Sequence, residues 1–181
     1  MSLLVKGRRN GKQIVQVTPQ SAGWTHVGFA AYRLAPGETI ALDADGRERC
    51  IVVLSGTVTV RSGGDAWKEI GERASVFEDR SPYAVYLPRG APAAITAHRD
   101  AEIGVASAPG TAIRKARLIE PASMKRFARG TGANTRYVCD ILPESEPDGR
   151  QIPVDVQVDR SFWQGVPYRY APAQSDDRPG E

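Results

Sequence analysis

Residues 50–60 read Cys50-Ile-Val-Val-Leu-Ser-Gly-Thr-Val-Thr-Val60, and this stretch decides the fold class. Its first half is a run of apolar, mostly β-branched residues, and Ser55-Gly56 then supplies a turn. After the turn, Val58 and Val60 alternate with threonines, and such alternation sends successive side chains to opposite faces of a sheet. The stretch therefore predicts two strands joined by a turn, and the second strand is expected to have one face inward and the other toward water.

The same pattern extends on both sides of residues 50–60. Glycine or proline turns recur about every eight to twelve residues between residues 12 and 108. The runs between these turns have the length and composition of strands. The predicted strands are Gln13–Val17, Val27–Leu34, Thr39–Leu42, Cys50–Leu54, Thr57–Arg61, Trp67–Ile70, Tyr83–Leu87 and Ala94–Ala97. Short strands at this spacing are typical of a sandwich or barrel, so we expect an all-β domain. Trp24, Phe29 and Tyr32 are expected to fill its core.

The composition limits the possible functions. The chain has 181 residues, of which 41% are hydrophobic, enough for one core plus an appendage. Its 24 basic and 21 acidic residues are scattered, so no basic patch for nucleic acid is predicted. No stretch approaches a membrane span or a secretory signal, and two cysteines, Cys50 and Cys139, are too few for an oxidised framework. We therefore expect a cytoplasmic protein with reduced thiols that binds neither a membrane nor nucleic acid.

The character of the sequence changes after residue 110. A basic, glycine-rich segment follows, and we interpret 111–150 as an irregular connector or docking arm with one short helix beginning at Pro121. Residues 151–181 contain a last apolar alternation over 154–158 and then become polar, which predicts partial disorder. The predicted organisation is a barrel over 1–110, the arm, and a short C-terminal segment.

Two motifs resemble those of the cupin family, whose fold is a double-stranded β-helix, a jelly-roll-like barrel. Pro36-Gly37-Glu38 leads into a strand before the Ser55-Gly56 turn, and Leu87-Pro-Arg-Gly90 leads into another strand. In cupins a His-x-His pair and a glutamate precede the first turn, and a further histidine follows the second motif. Alternate residues of a strand share one face, so such side chains converge on a divalent ion.

Other residues stand at these ligand positions in this chain. Asp43 and Asp45 replace the histidine pair, Arg49 replaces the glutamate, and Ala93 replaces the last histidine. Because a guanidinium and a methyl group cannot coordinate a cation, we expect no metal site in this barrel. The histidines of the chain, His26 and His98, stand among non-ligands, and we expect packing or surface roles for them.

Longer strings resemble the 5-deoxy-glucuronate isomerase family of myo-inositol breakdown, in order, over about residues 2 to 148. They are Val17-Thr-Pro-Gln-Ser-Ala-Gly-Trp24, Tyr32-Arg-Leu-Ala-Pro-Gly-Glu38, Glu69-Ile-Gly-Glu-Arg73, Pro82-Tyr-Ala-Val-Tyr86, Ser107-Ala-Pro-Gly110 and Asn134-Thr-Arg-Tyr-Val138. The resemblance implies an aldose–ketose isomerase with two cupin domains that acts on a deoxy-uronic acid. It also implies a divalent metal in the second cupin, where it would polarise the substrate's oxygens.

The C-terminal segment resembles the start of that second cupin weakly, so a degenerate, truncated second cupin is expected. Trp163-Gln-Gly165 matches its opening, but Tyr168 and Tyr170 flank Arg169 where the family has His-x-His. A phenol is mostly protonated at neutral pH, so no metal ligand or other cofactor site is expected there. The alternative left open is that the sequence after residue 149 is frame-changed.

Four side chains are predicted to bind substrate, because arginine is the natural partner of a uronate carboxylate and a phenol can bond sugar hydroxyls. They are Arg80, Tyr83, Tyr86 and Arg136. Arg80 and the two tyrosines are expected at a barrel mouth, whereas Arg136 could instead fix the arm against the barrel or a second subunit.

Three functions remain open at this point. The resemblance implies an isomerase of the 5-deoxy-glucuronate type, with a small sugar acid as its substrate. An inactive, truncated paralogue would keep the fold and act as a binding or assembly subunit, and a uronate-type sensor would keep the pocket alone. We also expect a homo-oligomer, because a barrel that normally packs against a second barrel would expose an apolar face.

Overall fold

The computed structural model describes residues 5–8, 10–110, 114–132, 135–142 and the strand at 154–158. Nearly all of their regular secondary structure is β-strand. The strands are β1 (Gln13–Val17), β2 (Gly28–Leu34), β3 (Thr39–Leu42), β4 (Arg47–Ser55), β5 (Val58–Ser62), β6 (Asp65–Ile70), β7 (Ala84–Leu87), β8 (Ala93–Ala97), β9 (Ala101–Pro109), β10 (Arg117–Ile119), β11 (Lys125–Arg129), β12 (Arg136–Leu142) and β13 (Val154–Val158). The helices are α1 (Pro19–Ala22) and a 3-10 helix (Pro121–Ser123). Within the described residues no helix is both long enough and apolar enough to cross a membrane.

Two antiparallel sheets form the barrel. One has the strand order β1-β2-β9-β4-β7-β10, and the other has the order β3-β8-β5-β6. Apolar side chains from both sheets meet in one core, which includes Leu34, Ile51, Val60, Ile95 and Ile103, each fully buried. This arrangement confirms the predicted all-β, jelly-roll-like barrel.

The predicted turn at Ser55-Gly56 is present, but the two strands it joins do not pair with each other. β4 belongs to the six-stranded sheet and β5 to the four-stranded sheet, so the turn carries the chain from one sheet to the other. Gly56 has a φ of 82°, and a Cβ at this position would lie 2.2 Å from the carbonyl oxygen of Asp100, so the turn requires glycine. The expectation that the threonine face of β5 meets water is wrong at Thr59, which is 4% exposed and whose hydroxyl lies 2.7 Å from Nε2 of the exposed His98.

The segment after residue 110 is not the irregular arm that was predicted. β10 extends the six-stranded sheet beyond β7, and β11, β12 and β13 form a third sheet in that order. The helix expected at Pro121 is only one 3-10 turn, because β11 begins at Lys125. The predicted boundary at residue 110 stays a prediction, although β10 shows that the barrel's sheet continues past it.

The third sheet covers part of the outer face of the barrel. Strand alternation turns Ile51 and Val53 of β4 into the barrel core, and it turns Cys50 and Val52 outward. The outward side chains pack with β12 residues in a second apolar cluster. Its buried members are Cys50, Val52, Ala84, Tyr86, Ile119, Met124, Cys139, Ile141 and Leu142.

Two of the three aromatic residues assigned to the barrel core lie elsewhere. Trp24 is 54% exposed and Phe29 is 41% exposed, so the prediction is wrong for both. Trp24 follows α1 in a loop, and Phe29 lies on the outer side of β2. Tyr32 packs against the barrel core as expected.

Candidate functional site

The expected metal-ligand end of the barrel contains an arginine instead. Arg49 lies on β4 with the same orientation as Ile51, so its side chain enters the barrel, where the residue is 8% exposed. Its Nη2 lies 2.7 Å from Asp45 Oδ2 and donates to the Asp43 carbonyl at 2.8 Å. Its Nη1 donates to the Ala91 carbonyl at 3.3 Å. The guanidinium thus ties together the loops before β4 and before β8.

The residues at this end do not fit a divalent cation. A fixed guanidinium already binds the Asp45 carboxylate, and it would repel a second positive charge. Ala93 is buried in the core cluster and offers only a methyl group. Among the described residues there is also no group of three or more His, Cys, Asp or Glu side chains that could hold a metal ion. Tyr168 and Tyr170 lie outside the described residues.

A second arginine lies two residues earlier on the same face of β4. Arg47 Nε donates to Ser107 Oγ at 3.1 Å, and its Nη2 donates to the carbonyls of Ser107, at 2.9 Å, and His26. A Cβ on Gly28 would lie 2.8 Å from Ser107 Oγ, so the glycine makes room for this arrangement. Sequence reasoning missed Arg47, because no motif marks an arginine that binds backbone carbonyls.

Two of the predicted site residues, Arg80 and Tyr83, both bind Glu72, a residue that was not predicted. Arg80 Nη1 and the Tyr83 hydroxyl each bond one oxygen of the Glu72 carboxylate, both at 3.1 Å. The hydrogen bond to Glu72 is the main reason that the pKa of Tyr83 is raised. The Arg80 and Glu72 side chains are more than half exposed, so this group faces solvent. Glu72 belongs to the string Glu69–Arg73, which was the available signal.

The group of Arg80, Tyr83 and Glu72 and the side chain of Arg49 lie near opposite ends of β4 and β7. The Tyr83 carbonyl accepts from Val53 N near the end of β4, whereas Arg49 pairs with Leu87 near its start. The intervening length of β7 corresponds to roughly 13 Å. The structure therefore separates the residues predicted to bind a carboxylate from the end of the barrel where cupins hold their metal.

Tyr86 does not line a barrel mouth, and that expectation is wrong. It is fully buried in the second apolar cluster, on the outer face of the six-stranded sheet. Its hydroxyl donates to Glu48 Oε2 at 2.8 Å, and Glu48 is itself only 1% exposed. Strand alternation explains the placement, because Tyr86 shares its face with Ala84, opposite to Val85 and Leu87.

Arg136 lies at the start of β12, directly opposite Arg129 of β11. Its side chain is exposed. Within the described residues the structure records no contact between Arg136 and the group of Arg80, Tyr83 and Glu72. Its predicted role in substrate binding stays a prediction.

A groove of about 360 Å³ lies beside the Ser55-Gly56 turn and contains none of the predicted residues. Arg33, Ser55, Ser75, Phe77 and Glu102 contribute to its lining. Arg33 Nη2 lies 2.8 Å from Glu102 Oε1, so these two charged side chains already pair with each other.

Comparison with known proteins identifies relatives along most of the chain. It is 38% identical over 154 residues to the 5-deoxy-glucuronate isomerase of Geobacillus kaustophilus, covering 85% of this chain and 56% of that protein. It is 31% identical over 160 residues to the 5-deoxy-glucuronate isomerase of Bacillus subtilis strain 168, covering 87% and 59%. The chain thus spans little more than half the length of these relatives.

A solved structure and a family match agree with these relatives. The crystal structure of an IolB-like protein from Salmonella typhimurium LT2 superposes with a TM-score of 0.78 at 40% identity, covering 81% of this chain and 56% of that one. Residues 3–167 match the KduI/IolB family, a range that includes the barrel and all three strands of the third sheet. This chain therefore belongs to the KduI/IolB family.

Proposed function

We propose that this chain serves the aldose–ketose isomerisation of 5-deoxy-glucuronate, with the small sugar acid as its substrate. The observation that carries the proposal is the 38% identity over 154 residues to a protein named as that isomerase. The family match over residues 3–167 includes the barrel and the third sheet. In this proposal the chain supplies the N-terminal, cupin-like part of such an enzyme.

The described residues are better suited to supporting and binding the substrate than to transferring a proton. The reaction moves a proton between two adjacent carbons, which requires a base that can reach both of them. The barrel interior is filled by aliphatic side chains, and the Asp45 carboxylate at its end is engaged by Arg49. The exposed Arg80 is the described candidate for the substrate carboxylate, which would compete with Glu72 for its guanidinium.

The proposal also includes an assembly and a compartment. The segment from Trp24 to Phe29 exposes three large apolar side chains, Trp24, Val27 and Phe29, each by about 40% or more. Exposed apolar surface of this kind favours association, so we expect a homo-oligomer. Cys50 and Cys139 are both free, which supports a reducing compartment such as the cytoplasm.

The test follows the proton during the reaction. The complete translation product that contains this sequence is incubated with 5-deoxy-glucuronate in D₂O, and proton NMR follows the aldehyde-derived and ketose-derived signals. Isomerisation through an exchangeable base should convert the aldose and place solvent deuterium on the carbon that receives the proton. Saturable binding of the sugar acid without any conversion would contradict the proposal and support a sensor.

A chimera separates the role of the barrel from the role of the rest. Residues 5–142 of this chain replace the matching part of the Geobacillus kaustophilus relative, and the same NMR assay is applied. We expect the chimera to retain turnover, because the replaced part supports the active enzyme and does not carry the groups that transfer the proton. A folded chimera without turnover would show that this barrel does not serve the reaction.

A further inference from the structure

Arg73 is a buried cation that has no carboxylate in hydrogen-bond contact among the residues that the structure describes. It is 5% exposed, and within those residues its guanidinium donates to two backbone carbonyls, Val53 at 3.2 Å and Arg80 at 3.4 Å. Its Nε is buried and has no hydrogen-bond partner in the described part of the chain. A guanidinium in such a place needs an anion nearby, because burial removes the water that would otherwise solvate its charge.

Cys139 is a group beside this guanidinium that can become an anion. Its Sγ lies 3.4 Å from Ser81 Oγ, and Ser81 directly follows Arg80, whose carbonyl accepts from Arg73. The thiol and the guanidinium therefore flank the same peptide unit. Burial lowers the pKa of Arg73, and its neighbours Cys139 and then Glu78 partly oppose this effect.

Cys139 also lies at a seam between two parts of the fold. Its strand β12 packs on the outer face of the barrel, and residues 79–81 belong to the loop between β6 and β7. A second tie crosses the same seam, because Arg126 of β11 forms an ion pair with Asp79. Cys139 is 9% exposed at this seam, so a small reagent needs only a slight separation of β12 from the loop.

Cys50 provides an internal contrast in the same apolar cluster. It is 0% exposed, and burial raises its pKa to about 12. At neutral pH almost no thiolate forms at Cys50, and the thiolate is the reactive species.

We propose that Cys139 is a site of oxidation by hydroperoxides and that the positive charge of the buried Arg73 guanidinium, which bonds the neighbouring loop residue, assists this reaction. The thiolate sulfur attacks one oxygen of hydrogen peroxide, an S–O bond forms, and the O–O bond breaks. The attacked oxygen keeps its hydrogen, so sulfur is oxidised directly to sulfenic acid, the peroxide is reduced, and the second oxygen leaves as hydroxide. The product, as a sulfenate, would give Arg73 an anionic neighbour. This proposal does not depend on the isomerase activity.

The test compares the two thiols in one protein. The full chain is treated with hydrogen peroxide at neutral pH, sulfenic acid is trapped with dimedone, and peptide mass spectrometry gives the rate at each cysteine. In parallel, iodoacetamide labelling is followed as a function of pH. We expect Cys139 to be modified at least about tenfold faster than Cys50 by both reagents. Equal rates, or faster modification of Cys50, would overturn the proposal.

Variants of Arg73 show whether its charge, and not merely the exposure of Cys139, sets the rate at which Cys139 is modified. Arg73→Met should slow the modification of Cys139 by at least about tenfold, whereas Arg73→Lys should keep most of the rate. Arg33→Met, which removes a guanidinium that binds Glu102 instead, should leave the rate unchanged. An unchanged or increased rate in folded Arg73→Met would contradict the role of the charge. If Arg73→Met does not fold, the wild-type rate ratio and Arg73→Lys still decide the question.

Discussion

Arg49 Nη2 lies 2.7 Å from Asp45 Oδ2, so the residue at the cupin glutamate position binds a residue at the cupin histidine-pair position. Two positions that the resemblance to cupins predicts to converge on a metal ion converge here on each other. The ion pair and the two carbonyl contacts of Arg49 hold the loops at this end of the barrel together.

This ion pair should couple energetically more strongly than an exposed one. Asp45 is 44% exposed and Arg49 only 9%, so we expect a coupling free energy of about 1–2 kcal/mol from the Arg49→Ala and Asp45→Ala double-mutant cycle. The matched control is Arg33 with Glu102, whose side chains are 57% and 38% exposed, for which less than about 1 kcal/mol is expected. Urea denaturation measures both cycles. Equal coupling in the two cycles would show that the Arg49 pair is an ordinary surface contact.

The described barrel should hold its structure without a metal ion. Elemental mass spectrometry of the purified chain should find far less than one divalent ion per chain, because Arg49 and Ala93 replace two donors. A chelator should leave the thermal midpoint unchanged. One tightly held ion per chain, whose removal lowers the midpoint, would contradict this account of the Arg49 end.

The two tyrosines near β7 should respond differently to loss of the hydroxyl. Tyr86→Phe removes a buried hydrogen bond to Glu48 and should lower the free energy of unfolding by about 1–3 kcal/mol. Tyr83→Phe removes a solvent-facing bond to Glu72 and should change it by less than about 0.5 kcal/mol. Chemical denaturation of both variants provides the measurement. A larger loss of unfolding free energy in Tyr83→Phe than in Tyr86→Phe would contradict the conclusion that Tyr86 is the tyrosine whose hydroxyl stabilises the fold.

Cys50 should make the protein less stable in alkali. Its folded pKa of about 12 lies above the ordinary value of 9.0, so unfolding releases a proton that the folded thiol keeps. The stability from Cys50 is fully present below pH 9.0 and is lost as the pH rises toward 12. The slope approaches about 1.4 kcal/mol per pH unit in that window.

Cys50→Ala should remove this pH dependence while lowering stability at neutral pH by about 1–2 kcal/mol. The stability difference between wild type and variant should therefore shrink between neutral pH and about pH 10.5. Val52→Ala, a truncation in the same cluster, should keep a constant difference from wild type over that range. Parallel behaviour of the two variants would rule out titration of Cys50 as the cause.

Local sequence patterns were sufficient for the strands that carry β-branched residues. Every strand from β1 to β8 was expected near its observed position, since each has turn residues at its ends. β9 was missed, although it lies between β2 and β4 at the centre of the larger sheet. Its sequence, Ala-Glu-Ile-Gly-Val-Ala-Ser-Ala-Pro, is rich in small residues with weak β preference. The extended conformation of β9 therefore depends on its pairing with the two neighbouring strands, β2 and β4.

The candidate site was harder to predict, because its contacts join residues that are distant in sequence. The positions of Arg49, Asp45 and Ala93 followed from motif spacing, since they are counted along single strands. Glu72 and Arg47 bind partners that only the fold brings near. Tyr86 was assigned to the wrong face, because it is three residues from Tyr83 and strand alternation sends two such residues to opposite faces of the sheet.

The central position of β9 has a consequence for synthesis on the ribosome. β2 and β4 pair with β9 and not with each other, so neither can complete its hydrogen bonds until residue 109 has left the exit tunnel. Until then both strands present unpaired edges, which are templates for aggregation. Nascent chains that stall before Ala101 should consequently depend on chaperones, and those that stall after Gly110 and clear the tunnel should be able to close the sheet.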